Sequence, residues 1–282
     1  MRYLTRPTDV IAMRFIPLLL LAASIGSSIV SLMATRGADA AEPKPLVIVI
    51  TGESNSGGTA KNADASPQEL APRPAVQILH PDPDKLRFED LRLGVNNLRD
   101  HFGLEQQYEI FHGLENGLAG AVEAGKFPMR DRLWLIKTGH GGSRIVQWAP
   151  DNPSRYWEKF LQRTDAAKRH LPSDPQWVIW MSLGINDAIA GTPADAWRDD
   201  VTAHIERMRE HLPGAIVVIT QFQSMNRYPQ IDQAIADIAA KVPGVYAVDT
   251  SNATLADANH WDYAGYKVVA ERMVEKTVAA IK

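Results

Sequence analysis

The segment Leu46-Val47-Ile48-Val49-Ile50 is a continuous apolar, largely β-branched run with no polar alternation. Such a run suits a strand covered on both faces within a parallel sheet. Leu133–Lys137, Val178–Leu183 and Ala215–Thr220 have the same character, and Val245–Asp249 repeats it more weakly. Between them the apolar positions take helical spacing over Gly113–Ala124, Trp157–His170, Ala194–Leu212 and Gln230–Ala240, with Ala264–Ile281 as a closing amphipathic helix. The step Leu212-Pro213-Gly214 is a helix stop ahead of a strand. Strands alternating with helices predict an α/β domain with a doubly wound, mainly parallel sheet of five strands. Residues 53–75, rich in Gly, Ser, Asn, Asp and Pro, read as a long surface excursion. There is no internal repeat and no low-complexity tract.

The amino terminus has a different pattern. Arg2, Arg6 and Arg14 precede an apolar run from Phe15 to Met33, and Ala38-Asp39-Ala40 then offers small residues for cleavage. That is the layout of a secretory signal peptide over residues 1–40, with Met13 as an alternative start. The rival reading is an uncleaved membrane anchor, which Pro17, Gly26 and Ser27-Ser28 weaken by interrupting the run. Residues 41–282 are then one domain, long enough to bury a full core, and periplasmic or secreted. Losing the leader's four arginines and two aspartates takes the formal charge from −3 to −5. A mildly acidic chain has no electrostatic footprint for nucleic acid. It has no cysteine, which removes thiol catalysis and Cys-based zinc sites. Any catalysis must use Ser, His, carboxylates or Lys.

Four polar clusters stand where the predicted strands stop: Gly52-Glu53-Ser54-Asn55, Gly139–Ile145, Gly184-Ile185-Asn186-Asp187 and Asp257-Ala258-Asn259-His260. In open α/β sheets, sites form at the carboxyl ends of strands. A serine hydroxyl needs a base for its proton and donors for the developing oxyanion. Asp257, three residues before His260, can reach the imidazole Nδ1 and leave Nε2 facing Ser54. Oxyanion donors would be the Ser54 backbone N–H, a glycine N–H at Gly142 or Gly141, and the Asn186 amide.

Together these blocks resemble the SGNH (GDSL-like) hydrolase superfamily, and within it the sialate O-acetylesterase-like and carbohydrate esterase family 6 branch. Gly52-Glu53-Ser54-Asn55 resembles that branch's Gly-Gln-Ser-Asn, and His112-Gly113-Leu114-Glu115 its His-Gly-Pro-Glu. Gly141 to Trp148 resembles Gly-Gly-Ser/Thr-x-Ile-x-x-Trp. Gly184-Ile185-Asn186-Asp187 and Asp257-Ala258-Asn259-His260 supply the remaining blocks, in order, over about residues 46–281. The resemblance implies a flavodoxin-like, three-layer α/β/α sandwich and ester hydrolysis without a metal or cofactor. Two residues depart from the pattern: Glu53 stands for glutamine and Leu114 for proline.

Each residue also has a plainer reading. A serine after a strand commonly caps a helix or forms a turn, and Asn186 could close an Asx turn. Asp187 is expected to hold its loop through backbone hydrogen bonds. His140 and His112 are each expected as loop or supporting histidines, and His140 has no carboxylate nearby in sequence to orient it as Asp257 does His260. Trp148, Trp261 and Tyr263 flank the presumed site and could stack on sugar or pack in the core. With Glu53, Trp148 and Trp261 are the candidate substrate contacts. Competing motifs fail: a phosphate loop would need Lys and Ser/Thr where Gly58 and Thr59 stand, and the α/β-hydrolase elbow would need glycine at Ser56. The expectation is an exported serine esterase acting on small acyl, chiefly acetyl, esters of a carbohydrate or glycan. Its rivals are a lipase or thioesterase, an acetyltransferase, and a non-catalytic glycan-binding or assembly protein.

Overall fold

The computed structural model describes residues 44–98, 100–101, 109–128, 130–172 and 174–281. The expected leader lies outside the described residues. The strands are β1 (Leu46–Gly52), β2 (Ala60–Lys61), β3 (Arg73–Leu79), β4 (Phe88–Leu91), β5 (Asp100–His101), β6 (Phe111–His112), β7 (Leu133–Lys137), β8 (His140–Gly141), β9 (Gln176–Ser182), β10 (Ile216–Thr220) and β11 (Val245–Val248). The helices are α1 (Ser54–Gly57), α2 (Pro67–Leu70), α3 (Leu114–Glu123), α4 (Tyr156–His170), α5 (Ile185–Ile189), α6 (Ala194–His211), α7 (Pro229–Lys241) and α8 (Tyr263–Ala280).

Every residue of β1 is buried, because it is the middle of a seven-stranded sheet ordered β11-β10-β9-β1-β7-β3-β4. It runs parallel to β9 from Leu46↔Gln176 to Gly52↔Ser182 and parallel to β7 from Val47↔Trp134 to Ile50↔Lys137. Only β4 runs antiparallel, against β3. The chain leaves β1 toward β7 and later crosses back to β9, so the carboxyl end of β1 is the topological switch at which such folds build sites. Helices α3 and α8 pack together, with Gly117 close against Ala270. Helices α4, α6 and α7 form the other layer, tied by Thr164 to His211 at 2.9 Å.

The five expected strands and five long helices are all present, and the sheet carries two more strands, β3 and β4. Sequence pattern missed β3 because Arg73, Pro74 and Gln77 interrupt its apolar run. Burial there is uneven: Val76, Ile78 and Leu79 are buried, Ala75 and Gln77 half-buried and Pro74 exposed. The segment 53–75 is also not a surface excursion at its start. Ser54, Asn55, Ser56 and Gly57 form a buried helical turn, and their polar groups are accommodated by partners distant in sequence.

Candidate active site

The carboxyl end of β1 turns sharply at Gly52, whose φ is +123° and where a Cβ would lie 2.1 Å from the Ser182 carbonyl oxygen. Only glycine fits that approach. Beyond it Glu53 N–H donates to Ser182 O at 2.8 Å, and Ser56 Oγ bonds the Thr51 carbonyl while accepting Ser182 N–H at 3.1 Å. The turn is thereby fastened to β1 and β9, and it delivers the Ser54 hydroxyl above the sheet.

Far along the chain, a second tight loop is closed by the Leu255↔Trp261 bridge and by Ala256 N–H donating to His260 O at 2.9 Å. It brings Asp257 and His260 to the same place. His260 Nε2 lies 2.9 Å from Ser54 Oγ, and His260 Nδ1 lies 2.8 and 2.9 Å from the two Asp257 carboxylate oxygens. An acceptor-only carboxylate at Nδ1 fixes the proton there and leaves Nε2 as an acceptor for the hydroxyl. Burial pushes the Asp257 carboxyl up, but the Asn259 N–H and His260 outweigh it and hold it below its ordinary value. Exposure rises along the line: Ser54 is 6% exposed, while the Asp257 side chain is 58% exposed.

Asn186 is brought to the same site by Glu53. The Glu53 carboxyl is fully buried and accepts Ile185 N–H at 2.9 Å, Asn186 N–H at 3.1 Å and the Asn186 side-chain amide. Burial pushes Glu53 up to about 8 against the pull of those N–H donors. Asp187, in the same turn, accepts Ile145 N–H at 3.0 and 3.2 Å. It has the structural role expected of it, and burial raises it to about 6. Gly141 is paired in β8, and Gly142 follows it with a left-handed φ of +76°.

A serine–imidazole–carboxylate line at a parallel sheet's switch point can activate a hydroxyl toward an ester carbonyl. Among the described residues, no group of three or more His, Asp or Glu side chains is placed to hold a metal ion. Comparison with known families gives the decisive match: the model of the carbohydrate esterases described as sialic acid-specific acetylesterase covers residues 44–279. The chain belongs to that esterase family. That is the acetylesterase branch whose motifs the sequence blocks resemble. A search of curated proteins gives no match. Solved structures share the fold. A protein of Arabidopsis thaliana superposes with a TM-score of 0.68 at 17% identity, over 85% of this chain and 100% of its own. NanS follows at 0.63 and 15%, over 85% and 98%. A candidate GDSL-like lipase of Parabacteroides merdae follows at 0.50 and 12%, over 85% and 97%.

In this esterase two expected substrate contacts move off the site. Trp148 is fully buried, donates Nε1–H to Ser143 Oγ at 3.2 Å and packs on Tyr156 and His204. Trp261 is fully buried too, bonded to Ser224 Oγ at 3.0 Å and set between Phe222 and Tyr266. Both rings support the loops that carry the polar residues, because a fully covered indole has no face left for a ligand. Glu53, the third such candidate, is likewise covered on all sides and spends its oxygens on α5. His140 stacks on Tyr156 with ring centroids 4.0 Å apart, and His112 bonds Asn62 Oδ1 at 2.9 Å, so neither is Ser54's partner. Tyr263 bonds both oxygens of Glu69 at 2.8 Å.

Sequence reading missed two supporting residues. Lys137, wholly buried at the end of β7, pairs with the wholly buried Glu115 at 2.8 Å and donates to the Gly57 carbonyl at 2.8 Å, beneath the Ser54 turn. A lysine ending an otherwise apolar strand was the available signal. Burial raises the Glu115 carboxyl, but the Lys137 ammonium outweighs it and holds the acid below its ordinary value. Asn55 is the other: its amide donates to Asn259 O at 2.9 Å, and its Oδ1 accepts Tyr266 O–H at 3.3 Å.

Proposed function

We propose that this esterase is a serine esterase removing small acyl groups, chiefly acetyl, from a carbohydrate or glycan. The observation that carries the reading is the unbroken line from Ser54 Oγ through His260 to Asp257. Ser54 Oγ attacks the ester carbonyl as His260 Nε2 takes its proton, and the imidazolium then protonates the leaving sugar oxygen. Water, activated by the same imidazole, hydrolyses the acyl-enzyme. Asp257 keeps Nδ1 protonated and stabilises the imidazolium. The Ser54 and Gly142 backbone N–H groups and the Asn186 amide receive the oxyanion. The glycan substrate is supported by the family description, which names carbohydrate and sialic acid esters. Residues 1–40 act as a cleaved export leader, giving a periplasmic or secreted enzyme that meets glycans outside the cytoplasm. Among the described residues no helix is long and apolar enough to cross a membrane.

Ser54→Ala should reduce turnover of an aryl acetate by on the order of 10³-fold or more. Wild-type turnover in that variant would overturn the assignment. An acyl-chain series should peak sharply at acetyl, whereas efficient turnover of long chains would favour a lipase.

A further inference from the structure

Glu53 is the residue whose chemistry the reaction above leaves unused. It is fully buried, adjoins Ser54 and touches no open space. Three donors from the first turn of α5 meet its oxygens: Ile185 N–H on Oε1, and Asn186 N–H with the Asn186 side-chain amide on Oε2. Asn186 itself is only partly buried, so its amide is shared between Glu53 and the open side of the site.

A primary amide has two ends of opposite character, nearly identical in shape and different only in hydrogen-bonding sense. For Asn186 to give an oxyanion a donor, its NH₂ group and not its carbonyl must face Ser54. We infer that Glu53 is a positioning residue that decides this: its acceptor oxygen turns the Asn186 NH₂ toward the site, engaging one hydrogen and leaving the other for the acyl oxygen. A carboxyl group keeps acceptor lone pairs on both oxygens whether or not it carries a proton. A glutamine of the same shape would set its own NH₂ against the Ile185 N–H or against the Asn186 donors. It could not satisfy all three, and its amide could equally hold Asn186 by the carbonyl. Preorganised donors act because they need not turn during reaction, so a freely flipping Asn186 costs turnover rather than substrate affinity. The inference rests on the serine esterase reading and adds to it the residue that sets the oxyanion donor.

The test is a double-mutant cycle on an aryl acetate with Glu53→Gln, Asn186→Ala and the double variant, each with its urea midpoint. Glu53→Gln and Asn186→Ala should each lower kcat by about tenfold or more, with KM within about twofold. Because Glu53 acts through Asn186, the double variant should stay within about twofold of Asn186→Ala alone. Losses that multiply, or wild-type kcat in either single variant, would overturn the inference. Should Glu53→Gln not fold, Glu53→Asp replaces it in the same cycle, since the shortened side chain withdraws the acceptor from the amide. A fluorophosphonate probe on the wild-type enzyme separates the two levels. Absence of labelling at Ser54 counts against the serine esterase reading, whereas labelling together with multiplying losses counts against Glu53 alone.

Discussion

The side-chain amide of Asn55 donates to the carbonyl of Asn259 at 2.9 Å across 204 residues of chain. The residue after Ser54 is thus fastened to the residue before His260. Tyr228 O–H holds the same Asn259 from the other side, at its Oδ1, at 2.6 Å. The Ser54–His260 distance is therefore set by partly buried hydrogen bonds of these amides and not by the serine and histidine alone.

Asn55→Ala should lower kcat by about tenfold or more while leaving KM within about twofold, because near-attack geometry is lost rather than binding. Orphaning the buried partners of Asn55 should also cost about 1–3 kcal/mol of stability. Steady-state kinetics and urea denaturation read the two effects. Unchanged kcat would show that the loops hold their spacing without this amide.

Asp257 stands largely in solvent, where a carboxylate stabilises an imidazolium less than a buried one does. Asp257→Asn should therefore cost roughly 10- to 10³-fold in kcat, less than removal of the Ser54 hydroxyl. A loss equal to that of Ser54→Ala, measured on the same acetate, would contradict this ordering.

The Lys137–Glu115 pair is wholly buried. Lys137→Met leaves the Glu115 charge without its counterion and should destabilise the fold by about 3–5 kcal/mol. Adding Glu115→Gln removes that charge while keeping an acceptor for Asn97 Nδ2 and Gly113 N–H. The double variant should recover more than half of the loss in denaturation midpoint. If it is no more stable than Lys137→Met alone, the pair's charge is not the source of the cost.

Glu53 has a pH signature. Its carboxyl sits at about 8 in the folded chain, against an ordinary 4.5, because burial disfavours the anion. The groups facing it are Asp187 and Tyr228. The folded state holds this proton more tightly than the unfolded chain does. Its contribution is full below pH 4.5 and is lost as pH rises through 8, with a slope of up to about 1.4 kcal/mol per unit in between. Asp187, raised to about 6, acts in the same sense over a lower window. The wild type should be less stable at pH 8 than at pH 5, and Glu53→Gln should flatten that difference. An identical slope in both proteins would refute the assignment.

The sheet was legible where strands are covered on both faces, since β1, β7, β9 and β10 carry polar residues only at their ends and none inside their apolar runs. It was illegible at β3, where Arg73 and Gln77 alternate with apolar residues and Pro74 interrupts them. The candidate site was legible as four separate blocks because glycines and polar residues must stand where apolar strands end. The aromatic residues misled for a related reason. Trp148 and Trp261 lie beside those blocks in sequence, and proximity along the chain does not say which side of a loop a ring occupies.

By itself the sequence determined the alternation of strands and helices, the order of the polar blocks and the chemistry each could supply. Local periodicity and residue type carry that much. Only the tertiary structure decided which groups meet. Ser54 and His260 are 206 residues apart, and Glu53 reaches Asn186 across 133. It also decided that Glu53 and Lys137 lie out of water, where burial rather than residue type sets the state of a carboxyl and the need for a counter-charge. Those facts arise when β1 is laid between β7 and β9, and no window of sequence contains them.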